Sequence, residues 1–162
     1  MKKYILLIFT LIFLLLIVSC NDGNDEYSSS QSESESALGN GTLIVNGNQQ
    51  GVSIEVYPTY AKIPLLSTLE GLGAELARSE ALCEIKYQDK TYILDISSKT
   101  LALNGESTNI LPQDGDENYV MTVTNGDIVL DDVSLYKTLE KMGISIRYNL
   151  DFDALRVEIS LK

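Results

Sequence analysis

Chemistry in this chain rests on carboxylates, tyrosines and two cysteines, because the sequence holds no histidine at all. Without imidazole there is no Ser-His or Cys-His nucleophile pair, no ordinary zinc site and no preferred ligand for Cu(II). The acids gather in three places. "DGDEN" at Asp114 to Asn118 offers oxygen ligands to calcium but lacks the spacing and distal glutamate of a calcium loop, so it reads as a solvated acidic turn. Asp131-Asp132 stands just ahead of a helical pattern, where a helix N-terminus favours acids. Asp151 and Asp153 in "DFD" read as turn formers. Two carboxylates at a set separation suffice for glycoside hydrolysis, yet the sequence places no two of these across one cleft. No catalytic residue, metal site or cofactor is therefore assigned. Cys83, alternating within "ALCEIKY", reads as a buried strand residue rather than a reactive thiol. Of nine tyrosines, Tyr57, Tyr60, Tyr87, Tyr92 and Tyr148 are expected along strands or at their ends. Packing with the hydroxyl wet at the rim is favoured there over a sugar- or peptide-contacting face.

The other cysteine carries a different chemistry. "MKK" is a basic start, Tyr4 to Val18 is an almost unbroken apolar run, and "IVSC" closes it at Cys20. This arrangement matches a lipobox, which implies diacylglyceryl thioether attachment at Cys20 and cleavage before it. The competing reading, an uncleaved membrane span, rests on the near-spanning length of the run. Residues 1–19 are thus expected to be a lipoprotein signal peptide. Each buried methylene of an acyl chain contributes about 0.8 kcal/mol, so two or more chains hold where one is marginal. Residues 20–41 form a Ser-, Asn- and acid-rich tether with almost nothing able to pack. As a coil it spans about 25 Å.

Beyond it, Thr42 to Lys162 suits one compact domain with a real core. The chain's formal net charge of −11 disfavours nucleic acid and anionic lipid, so a membrane would be met through the acyl chains. Once Cys20 is lipidated, Cys83 has no intrachain partner.

The elements that must carry these residues are mostly strands. "NG" at Asn46, Asn104 and Asn125, and "QDK" at Gln88, are hairpin turn signals. They separate the alternating runs "TLIVN" and "VSIEVYP", "CEIKY" and "TYILDI", "TLALN" and "STNIL", and "YVMTVT" and "DIVLD". The last strand puts Leu155, Val157, Ile159 and Leu161 on one face. Two segments break the rhythm and echo each other: Ile63 to Gly73 and Val133 to Gly143. Their apolar stripes are Ile63, Leu65, Leu69 and Leu72, and Val133, Leu135, Leu139 and Met142. Gly73 and Gly143 are the expected helix-terminating residues, with Pro64 and Asp131/Asp132 as start signals. The expected fold is α+β, mostly antiparallel sheet with two short helices. It is read as two duplicated hairpin-helix-strand-strand units sharing one core.

These residues resemble a known family. "LIVNG", "KIPLLSTLEGLGAEL" and "CEIKYQDKTYILDI", then "LALNG", "DDVSLYKTLEKMGISIRYNLD" and "LRVEI", look like two copies of the copper amine oxidase N-terminal-like, or stalk, domain. The resemblance covers residues 42–162. Ser134 departs from its usual proline, and Ala77-Arg78 and Tyr148-Asn149 from its Trp-Asp. In that family the oxidase chemistry belongs to a separate domain with three histidines on copper and a tyrosine-derived quinone. Here histidine is missing and Val120, not an acid, follows Asn118-Tyr119, so copper is excluded. The resemblance implies a surface domain common on bacterial lipoproteins. The expectation is a non-enzymatic protein lipid-anchored to the cell membrane and facing outside the cytoplasm, spacing or binding cell-wall polymer or an envelope protein. The alternatives are a small carboxylate-dependent envelope hydrolase, or a partner or inhibitor of a secreted enzyme.

Overall fold

The computed structural model describes residues 36–79, 81–106, 108–113 and 120–162. The apolar leader, Cys20, the tether up to residue 35, the Asp114–Asn118 turn and Tyr119 lie outside them. The chain combines α and β structure in the order β1 (Gly39–Val45), β2 (Asn48–Val56), β3 (Ala61–Pro64), α1 (Leu65–Gly71), β4 (Glu75–Arg78), β5 (Leu82–Tyr87), β6 (Lys90–Asp95), β7 (Thr100–Leu103), β8 (Met121–Thr124), β9 (Asp127–Asp131), α2 (Asp132–Lys141), β10 (Ile146–Asp151) and β11 (Arg156–Leu161). A seven-stranded sheet runs β10-β11-β1-β2-β3-β9-β8, and a four-stranded sheet runs β4-β5-β6-β7. Neighbours are antiparallel except β1 and β11, which pair in parallel with Leu43 opposite Val157.

Turn chemistry sets the hairpins. Asn46-Gly47 and Asn125-Gly126 take positive φ at both residues, the geometry that closes two-residue hairpins, and join β1 to β2 and β8 to β9. Asn104-Gly105 has the same geometry but does not return as a strand. Of the expected "STNIL" strand, the described residues 108–111 are instead an irregular segment stitched by one side chain. Asn109 Oδ1 accepts from Leu101 N–H at 2.8 Å and from Leu111 N–H at 3.1 Å, while its amide donates to the Lys99 carbonyl at 3.2 Å. An amide side chain can imitate ladder partners in this way, and the local bonds replace a strand pairing.

The first strand begins at Gly39, inside the stretch that composition assigns to the tether. Gly41 explains the difference. A Cβ there would run into the Leu155 carbonyl oxygen and stand 2.8 Å from Val56 Cγ2. The glycine that looks like linker is there for close backbone approach, next to the Thr42 N–H that donates to the same Leu155 carbonyl at 2.9 Å.

Both helices stop at their expected glycines, with φ of 97° at Gly73 and 79° at Gly143. Gly73 N–H reaches the Glu70 carbonyl at 2.9 Å and Ala74 N–H the Leu69 carbonyl at 2.9 Å. The corresponding bonds at Gly143 and Ile144 are both 2.8 Å. These are paired Schellman closures. The starts differ from expectation. Ile63 precedes a proline, which disfavours helical backbone, so it stays in β3 and α1 opens only after Pro64. Asp131 caps α2 earlier, which turns Val133 outward, 58 % exposed, rather than into the apolar stripe.

One continuous core joins both sheets and both helices, from Leu43 and Ile54 through Leu69 and Leu94 to Leu139 and Ile159. Cys83 lies fully within it, as expected, and burial pushes its thiol pKa up. Tyr92, also buried, donates its hydroxyl to the Met142 carbonyl at 2.8 Å and so ties β6 to the end of α2. That hydroxyl is in the interior, not at a wet rim. On the final strand Val157 and Ile159 are buried as expected, while Leu161 is 40 % exposed at its end.

Candidate functional site

The sequence-expected acids stay apart. Asp131 accepts from Ser134 N–H at 2.8 Å, Ser134 Oγ at 2.7 Å and Val120 N–H at 2.7 Å, a capping role. Asp132 faces the Tyr148 hydroxyl; burial raises the pKa of both groups. Asp151 accepts from Ala154 N–H at 3.0 Å, closing the turn, and lies 3.5 Å from the Arg156 guanidinium, which also reaches Glu158 at 3.1 Å. Tyr87 is buried in the core.

A groove forms elsewhere, over the centre of the seven-stranded sheet, with a volume of about 590 Å³. Strand β2 gives it Gly51, Val52, Ser53 and Glu55, and β3 gives Lys62 and Pro64. Opposite stand Thr122 and Thr124 of β8 with Asp127 and Val129 of β9, while Ser67 and Glu70 of α1 and Arg78 of β4 close it. Period-two alternation supplies these groups: Ile54 and Val56 go to the core, which leaves Ser53 and Glu55 on the groove face. Register then places Glu55 directly opposite Lys62.

At one end the charges are paired. Lys62 Nζ sits 3.0 Å from Glu55 Oε2 and 2.6 Å from the Tyr57 hydroxyl, which donates to the same carboxylate at 2.9 Å. These bonds hold Glu55 below its ordinary pKa, the Lys62 bond first. Lys62 is correspondingly raised, chiefly by Tyr57. The ammonium is closer to the hydroxyl than to the Tyr57 ring centroid, 4.7 Å away, so the contact is a hydrogen bond at the ring's end and not a cation over its face. Tyr57 and Tyr60 stack at 4.5 Å with rings 3° from parallel, in the turn joining β2 to β3. The tight turn, with Tyr57 N–H on the Tyr60 carbonyl at 2.8 Å, brings the rings together, and the Tyr57 hydroxyl ties the pair to the groove residues Glu55 and Lys62.

In the floor, Asp127 has a structural task. Helix α1 has no cap of its own, because Pro64 offers no side-chain acceptor. Asp127, sixty residues away on β9, supplies one. Leu66 N–H donates to Oδ1 at 2.9 Å, and Ser67 N–H and Oγ donate to Oδ2 at 3.1 and 3.2 Å. These donors lower the carboxyl pKa, as does the charge of Arg78, but burial outweighs them and the net shift is upward.

Glu55, Lys62, Arg78 and Asp127 were not singled out as site residues by the sequence. Strand alternation was the available signal for the first two; nothing local marks Asp127. Among the described residues no group of three or more Cys, Asp and Glu side chains is placed to hold a metal ion. Nor is any described helix long and apolar enough to cross a membrane, the run from Tyr4 to Val18 being outside them. Neither a protein-family model, nor a curated protein, nor a solved structure matches this chain.

Proposed function

We propose that this is a lipid-anchored surface protein whose folded domain is a non-catalytic binding module. Lipidation of Cys20, membrane attachment and an extracytoplasmic position rest on the basic start, the apolar run and the "IVSC" ending followed by a polar tether. The stalk-type, duplicated reading of the domain is supported by the reciprocal arrangement of its centre. Neighbouring antiparallel strands β3 and β9 each run directly into a helix; α1 packs on β9 and α2 on β3, and each helix closes on glycine with the same bonds.

The observation that carries a binding role is the groove, a concave site of mixed polar and apolar lining over the sheet. Its carboxylates argue against catalysis. Hydrolysis needs two that are free to act, one as an acid and one as base or nucleophile. Asp127 has its oxygens occupied by α1 donors and Glu55 is held by Lys62 and Tyr57. Among the described groove residues Glu70 is the carboxylate left over. The decisive experiment co-sediments the protein with purified cell wall while release of reducing sugar is followed. Retention without sugar release supports the reading. Sugar release abolished by Glu70→Gln would overturn it in favour of the carboxylate hydrolase, and one specific protein in an envelope pull-down would favour a partner or inhibitor of a secreted enzyme. Replacing Cys20 by Ser should release the protein from the membrane fraction.

A further inference from the structure

We infer that the groove binds an uncharged glycan chain, with the Tyr57–Tyr60 stack as a platform at one end and Arg78 and Glu70 as hydroxyl-reading groups at the other. This rests on the binding reading above and narrows it. The groove is nearly balanced in charge inside a strongly acidic chain, whose formal net charge is −11. Among the described residues five ionisable side chains line the groove. Glu55 and Lys62 neutralise each other at 3.0 Å, and Asp127 is turned inward to cap α1. What is left among the described lining residues is one carboxylate, Glu70, and one guanidinium, Arg78, both exposed.

An anionic polymer needs a surplus of cations and a cationic one a large surplus of acids; the described lining carries two cations against three acids, one of them, Asp127, engaged in capping α1. Planar carboxylate and guanidinium groups do present paired acceptors and donors, the fork geometry that suits two adjacent hydroxyls. Ser53, Thr122, Thr124 and Asn125 add neutral donors and acceptors along the walls. The half-buried stacked rings, fixed to the groove edge by the Tyr57 hydroxyl, supply the flat apolar surface that a sugar ring covers.

The test titrates the full-length chain with an uncharged β-1,4-linked N-acetylglucosamine oligosaccharide, with polygalacturonate and with polylysine. The oligosaccharide should bind, with Kd changing less than about threefold between roughly 0.05 and 0.5 M salt, since neutral contacts are little screened. Arg78→Ala and Thr122→Trp, both at exposed groove positions, should each weaken binding by about tenfold or more, the equivalent of one good hydrogen-bonded contact. Thermal melts of both variants control for folding. Tighter binding of either charged polymer, with affinity collapsing as salt rises, would overturn the inference. So would failure of the oligosaccharide to bind, or binding indifferent to both substitutions. If whole cell wall still retains the protein in those cases, the binding role stands and only the ligand class falls; if it does not, both fall.

Discussion

Asp127→Ala tests whether α1 depends on a cap delivered from another strand. The change removes the acceptor for Leu66 N–H and Ser67 N–H, together with the Ser67 hydroxyl bond. Leu66 is fully buried and Ser67 is 9 % exposed at the groove, so water can rescue the second amide better than the first. One buried unsatisfied donor costs about 1–3 kcal/mol, and loss of an ordinary N-cap about 1 kcal/mol. Relief of a buried charge offsets a part. A net destabilisation of about 2–3 kcal/mol follows, seen in urea as a lower midpoint at unchanged slope. Glu70→Ala, on the exposed side of the same helix, should stay within about 0.5 kcal/mol. Equal stabilities for wild type and Asp127→Ala would refute the capping argument.

The pH dependence of that difference has a definite sign. The folded-state pKa of Asp127 lies above its unfolded value, near 3.9. Between the two values the native state binds more protons than the unfolded chain, so stability falls as pH rises. The part of the stability that comes from the raised carboxyl pKa is complete below the unfolded value and is lost as pH passes through the folded one, while the cap bonds persist in the carboxylate form. The gap between wild type and the non-titrating Asp127→Asn variant should therefore narrow from acid to neutral pH. A gap that widened would mean the donors, not burial, dominate the carboxyl.

Other outcomes follow from backbone geometry and burial. Gly73→Ala and Gly143→Ala, at φ of 97° and 79°, should each cost about 1–2 kcal/mol in equilibrium unfolding. Gly51→Ala, in open space on β2 with no positive φ, should be neutral or slightly stabilising in the same assay. Gly41→Ala should cost more than either helix-end change, about 3 kcal/mol, because its methyl must displace the Leu155 carbonyl and the β1–β11 contact. Tyr92→Phe strands the Met142 carbonyl in the core and should cost about 1–2 kcal/mol by thermal or urea unfolding.

Whatever depends on near neighbours was readable in the chain. Asn-Gly turns demanded positive φ, alternation assigned the strand faces, and two glycines past apolar stripes marked helix ends that the backbone bonds then closed. The "STNIL" segment failed because one asparagine can satisfy the same backbone groups locally that a strand would satisfy by pairing. Val133 failed because the stripe was counted from the apolar pattern, whereas Asp131 decides where α2 begins. The tether boundary failed because Gly41 reads the same in a flexible linker and in a sheet that needs close approach.

The groove was hidden for a deeper reason. Its charges come from β2, β3, α1, β4 and β9, and only the pairing of β2 with β3 and β3 with β9 brings them onto one surface. Asp127 shows the limit most clearly. In the sequence it is one more acid after an Asn-Gly turn, and by local rules an ordinary turn residue. In the fold its carboxylate opens a helix that proline leaves uncapped, and in doing so withdraws from the groove a charge that would otherwise unbalance it. Capping α1 and keeping the site nearly neutral are one act of one side chain. A substitution there should consequently disturb stability and ligand preference together, whereas Arg78 and Glu70, which cap nothing, should move ligand preference alone.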